Sequence, residues 1–227
     1  MTPPRHQRRR GTPVSRRLFA YDRRIGVRFV AGADEAGGGC LAGPLVAAAV
    51  CLDLEGITAA QRRRLTDLDD SKRLDDAARQ RLSAAIMAVA RSVVILSASP
   101  STIDRDGLHV TNLRLLRQAL AGLEPGPDVA LVDGFPLGDG SPPHTAVVGG
   151  DRRSACIAAA SVVAKATRDR LMAGPADERH PGYGFARHVG YATETHRHAI
   201  RTLGPSRLHR RSFASPVYEG FGPEVGS

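Results

Sequence analysis

The chain has 227 residues, 42% of them hydrophobic, and carries 32 Lys and Arg against 23 Asp and Glu, a formal net charge of +9. This length and composition suit one domain with a buried core, and without a run of about 18 apolar residues they exclude a membrane-spanning helix. Three widely separated cysteines fit neither a disulfide framework nor a zinc site, so we expect a cytoplasmic protein. The positive charge favours nucleic acid as partner, unless the excess is only a solvated tail.

The N-terminal residues 1–24 are rich in Arg, Pro and Thr and poor in apolar side chains, which is typical of a disordered basic arm. The arm lacks the apolar core of a secretory signal. We therefore predict that the folded domain spans residues 25–215 and that residues 216–227 form a flexible tail.

Strand and helix patterns alternate along the domain. The apolar run at residues 27–33 predicts a strand that stops at Asp34 and Glu35, before the glycines 37–39. Further strands are predicted over residues 41–52, 93–97 and 129–132, and helices over 58–65, 75–90, 110–120, 155–172 and 194–203. This order predicts an α/β fold with a mixed sheet flanked by helices and a C-terminal helical extension from about residue 181.

Four carboxylates stand beside predicted strands or turns: Asp34 and Glu35 after the first strand, Asp133 after a later one, and Asp151 before the long helix. Strand ends of α/β proteins converge on one crevice, so acids from separate segments can meet there. Clustered carboxylates suit Mg²⁺ or Mn²⁺, and two such ions about 3.5–4 Å apart can activate water for attack on a phosphodiester. The alternative is that Asp34 and Asp133 only form strand-end turns.

The adjacent acids Asp34 and Glu35 pose a geometric question, because neighbours on a regular strand point to opposite faces of the sheet. We expect Gly37, Gly38 and Gly39 to supply a bend that brings both acids to one site. The same glycines have two interpretations: they permit positive φ in a turn, or their bare backbone N–H groups approach a sugar-phosphate closely.

Six sequence motifs lie in the order typical of one family. They are Ala33 to Pro44 (ADEAGGGCLAGP), Asp70 to Leu74 (DSKRL), Ile103 and Asp104 with Asn112, Val132 to Gly134 (VDG), Gly150 and Asp151 with Ile157 to Ser161 (IAAAS), and a C-terminal block of Pro181 to Phe185 (PGYGF), His188, Gly190, Tyr191 and His209 to Phe213 (HRRSF). Together they resemble the bacterial ribonuclease HII family, the type 2 ribonucleases H, and they cover most of the chain.

The resemblance implies a ribonuclease H-like fold and an endonuclease that cuts the RNA strand of RNA–DNA hybrids and cuts 5′ to ribonucleotides in duplex DNA, leaving 3′-OH and 5′-phosphate ends. It implies Mg²⁺ or Mn²⁺ as cofactor. It also implies a part in removing ribonucleotides misinserted into DNA. We expect the protein to be a monomer and to have no membrane partner. The implied residue roles are metal binding and catalysis by Asp34, Glu35, Asp133 and Asp151, substrate binding by Gly37, Gly38, Gly39, Ser71, Lys72 and Tyr191, and helix orientation by Asp169.

Three positions depart from the family's pattern, each where that pattern has a basic residue: Gly38 for an arginine, and Gly149 and Val189 for lysines. Loss of the guanidinium at position 38 removes a charge-assisted contact near the scissile phosphate. Two other interpretations therefore stay open. One is a catalytically impaired homologue that still binds nucleic acid, and the other is a metal-dependent nuclease that acts on structured RNA.

Overall fold

A five-stranded mixed sheet forms the centre of the computed structural model, which describes residues 14–68 and 74–221. Its strands are β1 Phe29–Ala36, β2 Leu45–Asp53, β3 Ser92–Ala98, β4 Val129–Asp133 and β5 Thr145–Val147. They lie in the order β3-β2-β1-β4-β5, with β2 antiparallel to both of its neighbours and β4 parallel to both of its own. The predicted mixed sheet is confirmed, with β1 in the middle.

Helices cover both faces of this sheet. They are α1 Val14–Arg23, α2 Ala59–Arg64, α3 Asp76–Val89, α4 Pro100–Asp106, α5 Leu108–Ala121, α6 Ala155–Leu171, α7 Asp177–Arg179, α8 Phe185–His188 and α9 Glu194–Leu203. Short 3-10 helices lie at Gly150–Arg152 and Pro216–Tyr218, and a π-helix at Met172–Ala176. Helices α1, α3 and α6 pack on one face, and α4 and α5 on the other. In the described ranges, no helix combines the length and the apolar character needed to cross a membrane.

Most predicted elements are confirmed with small shifts of boundary, and α9 has the predicted bounds. The first strand does not stop at residue 33, because β1 stays paired with β2 as far as Ala36. The strand predicted from residue 41 begins only at Leu45, since Gly43 has a left-handed φ of +92°. The sequence pattern predicts neither α4 nor β5, which at 7 and 3 residues are too short to show a clear period.

The N-terminal helix corrects the predicted basic arm. The prediction of disorder over residues 1–24 is wrong for residues 14–23, which form α1. Leu18 and Phe19 of this helix are buried in the core beside α6. The carboxylate of Asp22 accepts a 3.0 Å hydrogen bond from the backbone N–H of Cys156. Residues 1–13 lie outside the described ranges, so the folded domain begins earlier than predicted, at least by residue 14.

The predicted C-terminal tail begins too early. Pro216–Tyr218 form a 3-10 helix, with Val217 and Tyr218 buried. The Tyr218 hydroxyl donates a 3.0 Å hydrogen bond to the carbonyl oxygen of Leu41. The prediction of a flexible tail is therefore wrong for residues 216–221, and residues 222–227 lie outside the described ranges.

Helix α6 lies against the central strand with almost no space between the two backbones. Its contact point on β1 is Gly32, where an added Cβ would stand 2.1 Å from the backbone carbonyl carbon of Cys156. Only glycine fits there, because any side chain would force the helix away from the sheet. The close contact brings the polar residues in the middle of α6 next to the C-terminal end of β1.

Three buried histidines lie in the core of the C-terminal extension. The rings of His188 and His196 stack with centroids 4.2 Å apart, and the Nε2 atoms of His196 and His209 lie 3.1 Å apart. Tyr183 and Phe185 pack around them. Burial lowers the pKa of His196 to about 4 and the pKa of His209 to about 3, so both rings are neutral near pH 7.

We expect Gly32→Ala to lower the free energy of unfolding by about 1–3 kcal/mol or more, because the new methyl group overpacks the contact with α6. Chemical denaturation followed by circular dichroism measures the change. Gly174→Ala is the matched control: an added Cβ meets nothing within 4 Å there. An unchanged stability of Gly32→Ala would contradict the close contact.

We also expect stability to depend on pH through His196 and His209. Their folded pKa values lie below the ordinary value of 6.5, so the unfolded chain binds protons first as the pH falls. Their contribution is fully present above pH 6.5 and is lost as the pH falls from 6.5 to about 3 to 4. The double variant His196→Asn, His209→Gln should show a shallower pH dependence of the unfolding free energy than the wild type. Equal slopes would mean that the two rings are not buried in the neutral form.

Candidate active site

A pocket of about 340 Å³ gathers the four acids that the sequence singles out. It lies where the ends of β1 and β4 meet α6, and its lining residues are Asp34, Glu35, Ala36, Gly37, Gly38, Gly39, Asp133, Asp151, Ser161, Lys165 and Tyr191. The structure thus brings together every predicted site residue that it describes. The two other predicted binding residues, Ser71 and Lys72, lie outside the described ranges.

Two parallel strands place Asp34 and Asp133 next to each other. Ala33 of β1 pairs with Val132 of β4, so the next residue of each strand stands at the same level. Side chains alternate along a strand, and Gly32 faces α6. Asp34 therefore points to the α6 face of the sheet, where it accepts a hydrogen bond from a serine of that helix.

Glu35 lines the same pocket although it alternates with Asp34 along the strand. The pairing of β1 with β4 ends at Ala33, so within residues 14–68 and 74–221 no strand pairs with the β4 side of Glu35. On its other side β1 stays paired with β2 through Ala36. The expected bend from the glycines is therefore wrong, because they follow the paired segment. Glu35 lies two residues beyond the last β1–β4 pair, at this open edge of β1, and lines the pocket from there.

Asp151 comes from the short 3-10 helix that precedes α6. Gly149 has a left-handed φ of +62°, and an added Cβ at Gly150 would lie 2.4 Å from the side chain of Ile157. The backbone N–H of Gly150 donates a 2.6 Å hydrogen bond to Oδ1 of Asp133. The two glycines let the chain turn tightly against the end of β4, and the turn carries Asp151 to the pocket.

The other carboxylates of the pocket affect the pKa of Asp34. Burial raises the pKa of Asp34 well above its usual range, and the charges of Glu35 and Asp133 raise it further. A hydrogen bond from Ser161 and one from the backbone N–H of Glu35, at 2.8 Å, act in the opposite direction. A cation between the carboxylates would relieve this repulsion and keep them ionised.

The pocket offers carboxylate oxygens, which are the ligands that hard divalent cations such as Mg²⁺ and Mn²⁺ prefer. Over residues 14–68 and 74–221, no three His, Cys, Asp or Glu side chains stand close enough together to form a ready-made metal site. The four acids come from three separate segments that meet at the pocket. The fit to a divalent cation rests on the donor chemistry and on the shared pocket.

Helix α6 supplies two pocket residues to which the sequence argument assigned no role, Ser161 and Lys165. Lys165 Nζ lies 2.7 Å from Oδ1 of Asp169, whose other oxygen lies 3.0 Å from Nη1 of Arg79 on α3. The four-residue spacing of 161, 165 and 169 places these polar groups on one face of the helix, and this spacing can be read from the sequence. Asp169 ties α6 to α3, which supports its predicted orienting role.

Tyr191 stands beside the pocket with 38% of its surface exposed. Lys165 Nζ lies 3.3 Å from its hydroxyl oxygen and 4.7 Å from the centre of its ring. This contact combines a hydrogen bond with a cation–π interaction. A partly exposed ring that is held at its hydroxyl offers a flat apolar surface to a ligand in the pocket.

Two buried arginines shape the glycine turn. Nη1 of Arg210 donates hydrogen bonds to the carbonyl oxygens of Gly37 and Gly38, at 2.7 and 3.2 Å. Gly37 has a φ of +100°, and an added Cβ there would lie 2.2 Å from Nε of Arg168. At Gly38 and Gly39 an added Cβ meets nothing within 4 Å. Gly37 is therefore required by the packing, whereas positions 38 and 39 have room for side chains.

Known proteins resemble this chain over most of its length. The family model described as Ribonuclease HII matches residues 31–216. Ribonuclease HII of Mycobacteroides abscessus is 44% identical over 94% of this chain and 88% of that protein. Ribonuclease HII of Nocardia farcinica is 47% identical over 93% of this chain and 81% of that protein.

Solved structures show the same fold. Ribonuclease H2 from Pyrococcus horikoshii OT3 has a TM-score of 0.69 and 24% identity over 82% of this chain and 94% of that chain. The PCNA:RNase HII complex from Archaeoglobus fulgidus gives a TM-score of 0.65 and 25% identity over 81% of this chain and 94% of that chain. Bst-RNase HIII in complex with Mn²⁺ gives 0.58 and 22% over 94% of this chain and 73% of that chain.

These likenesses to solved structures confirm the ribonuclease H-like fold that the sequence predicts. The family model covers more than four fifths of the chain, and the curated relatives pass 40% identity over more than nine tenths of it. The motifs that carry the resemblance also supply the residues of the pocket. The chain belongs to the ribonuclease HII family and is a ribonuclease H.

Proposed function

We propose that this ribonuclease H cuts the RNA strand of RNA–DNA hybrids and the phosphodiester 5′ to single ribonucleotides in duplex DNA, leaving 3′-OH and 5′-phosphate ends. The observation that carries the proposal is a single pocket that combines four carboxylates, a glycine turn and a partly exposed tyrosine. The carboxylates suit hydrolysis of a phosphodiester, and the turn and the tyrosine suit recognition of a sugar.

Asp34, Glu35, Asp133 and Asp151 are the proposed ligands of Mg²⁺ or Mn²⁺. Two such ions, when bound, supply an activated water and stabilise the charge on the leaving oxygen. The Mn²⁺ complex of the ribonuclease HIII neighbour supports this choice of cation. The protein's own contribution is orientation: Ser161 holds Asp34 through a hydrogen bond, and the backbone of residue 150 holds Asp133.

Recognition of the ribose is assigned to the glycine turn and to Tyr191. The 2′-hydroxyl is the group that distinguishes RNA from DNA at a given position. Gly38 and Gly39 line the pocket without side chains, so a sugar can approach their backbone closely. Tyr191 offers its ring to the neighbouring sugar while Lys165 holds its hydroxyl. The net charge of +9 supports the approach of a polyanionic duplex.

Several finer assignments stay predictions from the sequence. They are the substrate contacts of Ser71 and Lys72, a cytoplasmic location, and a part in removing ribonucleotides misinserted into DNA. Action as a monomer likewise stays a prediction from the sequence. The alternative function is binding of nucleic acid with impaired turnover, and it is favoured by Gly38, which presents no guanidinium to the pocket.

A DNA duplex with one embedded ribonucleotide tests the proposal. We expect the purified protein to cut 5′ to the ribonucleotide in Mg²⁺ or Mn²⁺, and chelation to stop the reaction. Asp133→Asn should abolish cleavage and leave duplex binding largely unchanged, because it removes a metal-binding charge and keeps the shape of the side chain. Asp139→Asn, in an exposed loop, is the matched control.

Each other outcome of this assay has a distinct meaning. Binding by the wild type without cleavage would favour the impaired homologue. Cleavage of structured RNA that has no DNA strand would favour the alternative of a metal-dependent nuclease that acts on structured RNA. Loss of folding in Asp133→Asn, seen by circular dichroism, would make Asp133 a structural residue.

Replacing Gly38 with the arginine of the family's pattern tests how far the missing guanidinium lowers activity. We expect Gly38→Arg to fold normally, because an added Cβ meets nothing within 4 Å and the residue has no left-handed φ. A new charge-assisted hydrogen bond to the substrate should lower KM about tenfold with kcat little changed. Gly38→Gln, which is polar but uncharged and shorter than arginine, is the control. A rise in kcat of two orders of magnitude or more would instead identify the natural chain as catalytically impaired.

A further inference from the structure

We propose that His188, His196 and His209 are positioning residues that hold Tyr191 in place for recognition of the ribose. The inference rests on the proposed function, because the role of Tyr191 beside the ribonucleotide is part of that proposal. The three imidazoles are buried in the C-terminal extension, with 7%, 0% and 2% of their surfaces exposed, and none of them lines the pocket. They act on the backbone that carries the tyrosine.

A line of hydrogen bonds runs through two of these rings to the backbone of Tyr191. Nδ1 of His196 lies 2.8 Å from the Tyr191 carbonyl oxygen, which only accepts, so Nδ1 carries the proton. The Nε2 atom of this neutral ring is then an acceptor, and Nε2 of His209, 3.1 Å away, donates to it. Nδ1 of His209 in turn accepts from the backbone N–H of Ser206 at 2.8 Å. One pair of tautomers satisfies these three contacts, and the Ser206 hydroxyl, 2.9 Å from Nδ1 of His209, can donate to the same atom. The Ser206 carbonyl oxygen, at the longer distance of 3.3 Å from Nδ1, is left without a hydrogen bond from this ring.

His188 holds the residue before the tyrosine. Its Nε2 lies 2.9 Å from the carbonyl oxygen of Tyr183 and therefore donates, while its Nδ1 accepts from the backbone N–H of Gly190 at 3.2 Å. Its ring stacks on that of His196. The two stacked imidazoles thus hold the segment at two adjacent points, the N–H of Gly190 and the carbonyl of Tyr191.

The segment needs such support because Val189 adopts a strained backbone conformation. Its φ of 42° lies in the left-handed region, which β-branched side chains rarely enter. Conformations of this kind persist only where the surroundings enforce them, and they cluster at functional sites. Arg168 binds the Val189 carbonyl oxygen at 2.9 Å, and the histidines hold the next two residues. Loss of this support would let the strain relax and displace Tyr191.

The surroundings of the rings favour the neutral form that the line of hydrogen bonds requires. In the part of the chain that the structure describes, the titratable groups that face His196 and His209 are each other, His180, His188, Arg211, Tyr183 and Tyr218. None of them is a carboxylate that would stabilise an imidazolium. Protonation of His196 would turn its Nε2 into a second donor opposed to that of His209, and the line would break.

The wild-type protein tests the line of hydrogen bonds without any measurement of activity. Long-range ¹H–¹⁵N NMR spectra distinguish the two neutral tautomers of each histidine. We expect the Nδ1–H tautomer for His196 and the Nε2–H tautomer for His209. The opposite tautomer at either ring would overturn the proposal, since it leaves two donors or two acceptors in contact.

Matched variants test the consequence for recognition. His196→Leu removes the donor to Tyr191, and His196→Asn keeps an N–H near the position of Nδ1. On a duplex with one ribonucleotide, we expect the leucine variant to lose about tenfold or more in kcat/KM and the asparagine variant to lose less than about threefold. The leucine variant should lose less on a continuous RNA–DNA hybrid, which offers many alternative positions. His198→Leu, exposed on the same helix, is the control and should match the wild type.

The outcomes separate the inference from the function on which it rests. Equal losses on both substrates, by the leucine and asparagine variants alike, would show a merely structural role and overturn the inference. If His196→Leu does not fold, His209→Leu against His209→Gln makes the same comparison, since glutamine keeps the donor near Nε2. A wild type that cuts neither substrate overturns the proposed function together with the inference. A wild type that cuts, with an unchanged substrate ratio in His196→Leu, overturns the inference alone.

Discussion

The contact between helix α6 and strand β1 at Gly32 is the constraint on which the rest of the structure depends. A Cβ at this point would stand 2.1 Å from the helix backbone, so helix and strand meet too closely for any side chain to stand between them. From that contact the helix runs past the end of the strand. Ser161 then reaches Asp34, and Lys165 reaches the pocket. The position of the acids relative to their neighbours follows from the absence of one side chain.

A second constraint comes from Arg168 and Arg210, whose guanidinium groups are fully buried. In the described part of the chain neither is paired with a carboxylate; both bind backbone carbonyl oxygens instead. Burial lowers the pKa of Arg210 to about 10, and the charge of Arg168 adds to this effect. A buried charge is tolerated only when its donors are satisfied, so these arginines fix the loops that they bind. Those loops are the glycine turn and the segment before Tyr191.

The pocket therefore has two walls of different origin. The sheet and the turn before α6 supply the carboxylates, which strand pairing and tight glycine turns hold in place. The C-terminal extension supplies Tyr191, which is held by Lys165 at its hydroxyl and by buried imidazoles at its backbone. In the proposed function the first wall serves the chemistry at the phosphodiester, and the second recognises the sugar. Their meeting in one chain explains why the motifs for both are spread from β1 to the C-terminal extension.

Local sequence patterns were enough to predict the α/β class and to single out the four acids beside strands and turns, because apolar runs and their polar ends are short-range features. The sequence patterns failed at residues 14–23. This segment is basic overall, and only the structure shows that Leu18 and Phe19 form the buried face of a helix. The sequence correctly places Glu35 at the pocket, whereas the predicted reason, a bend at the glycines, is wrong. Tertiary structure decided the role of Arg168, whose partners Ala42 and Pro44 lie 126 and 124 positions away, so that no local pattern reveals them. The partners of the buried histidines are near in the sequence, but only the packing of the C-terminal extension brings the three rings together and buries them.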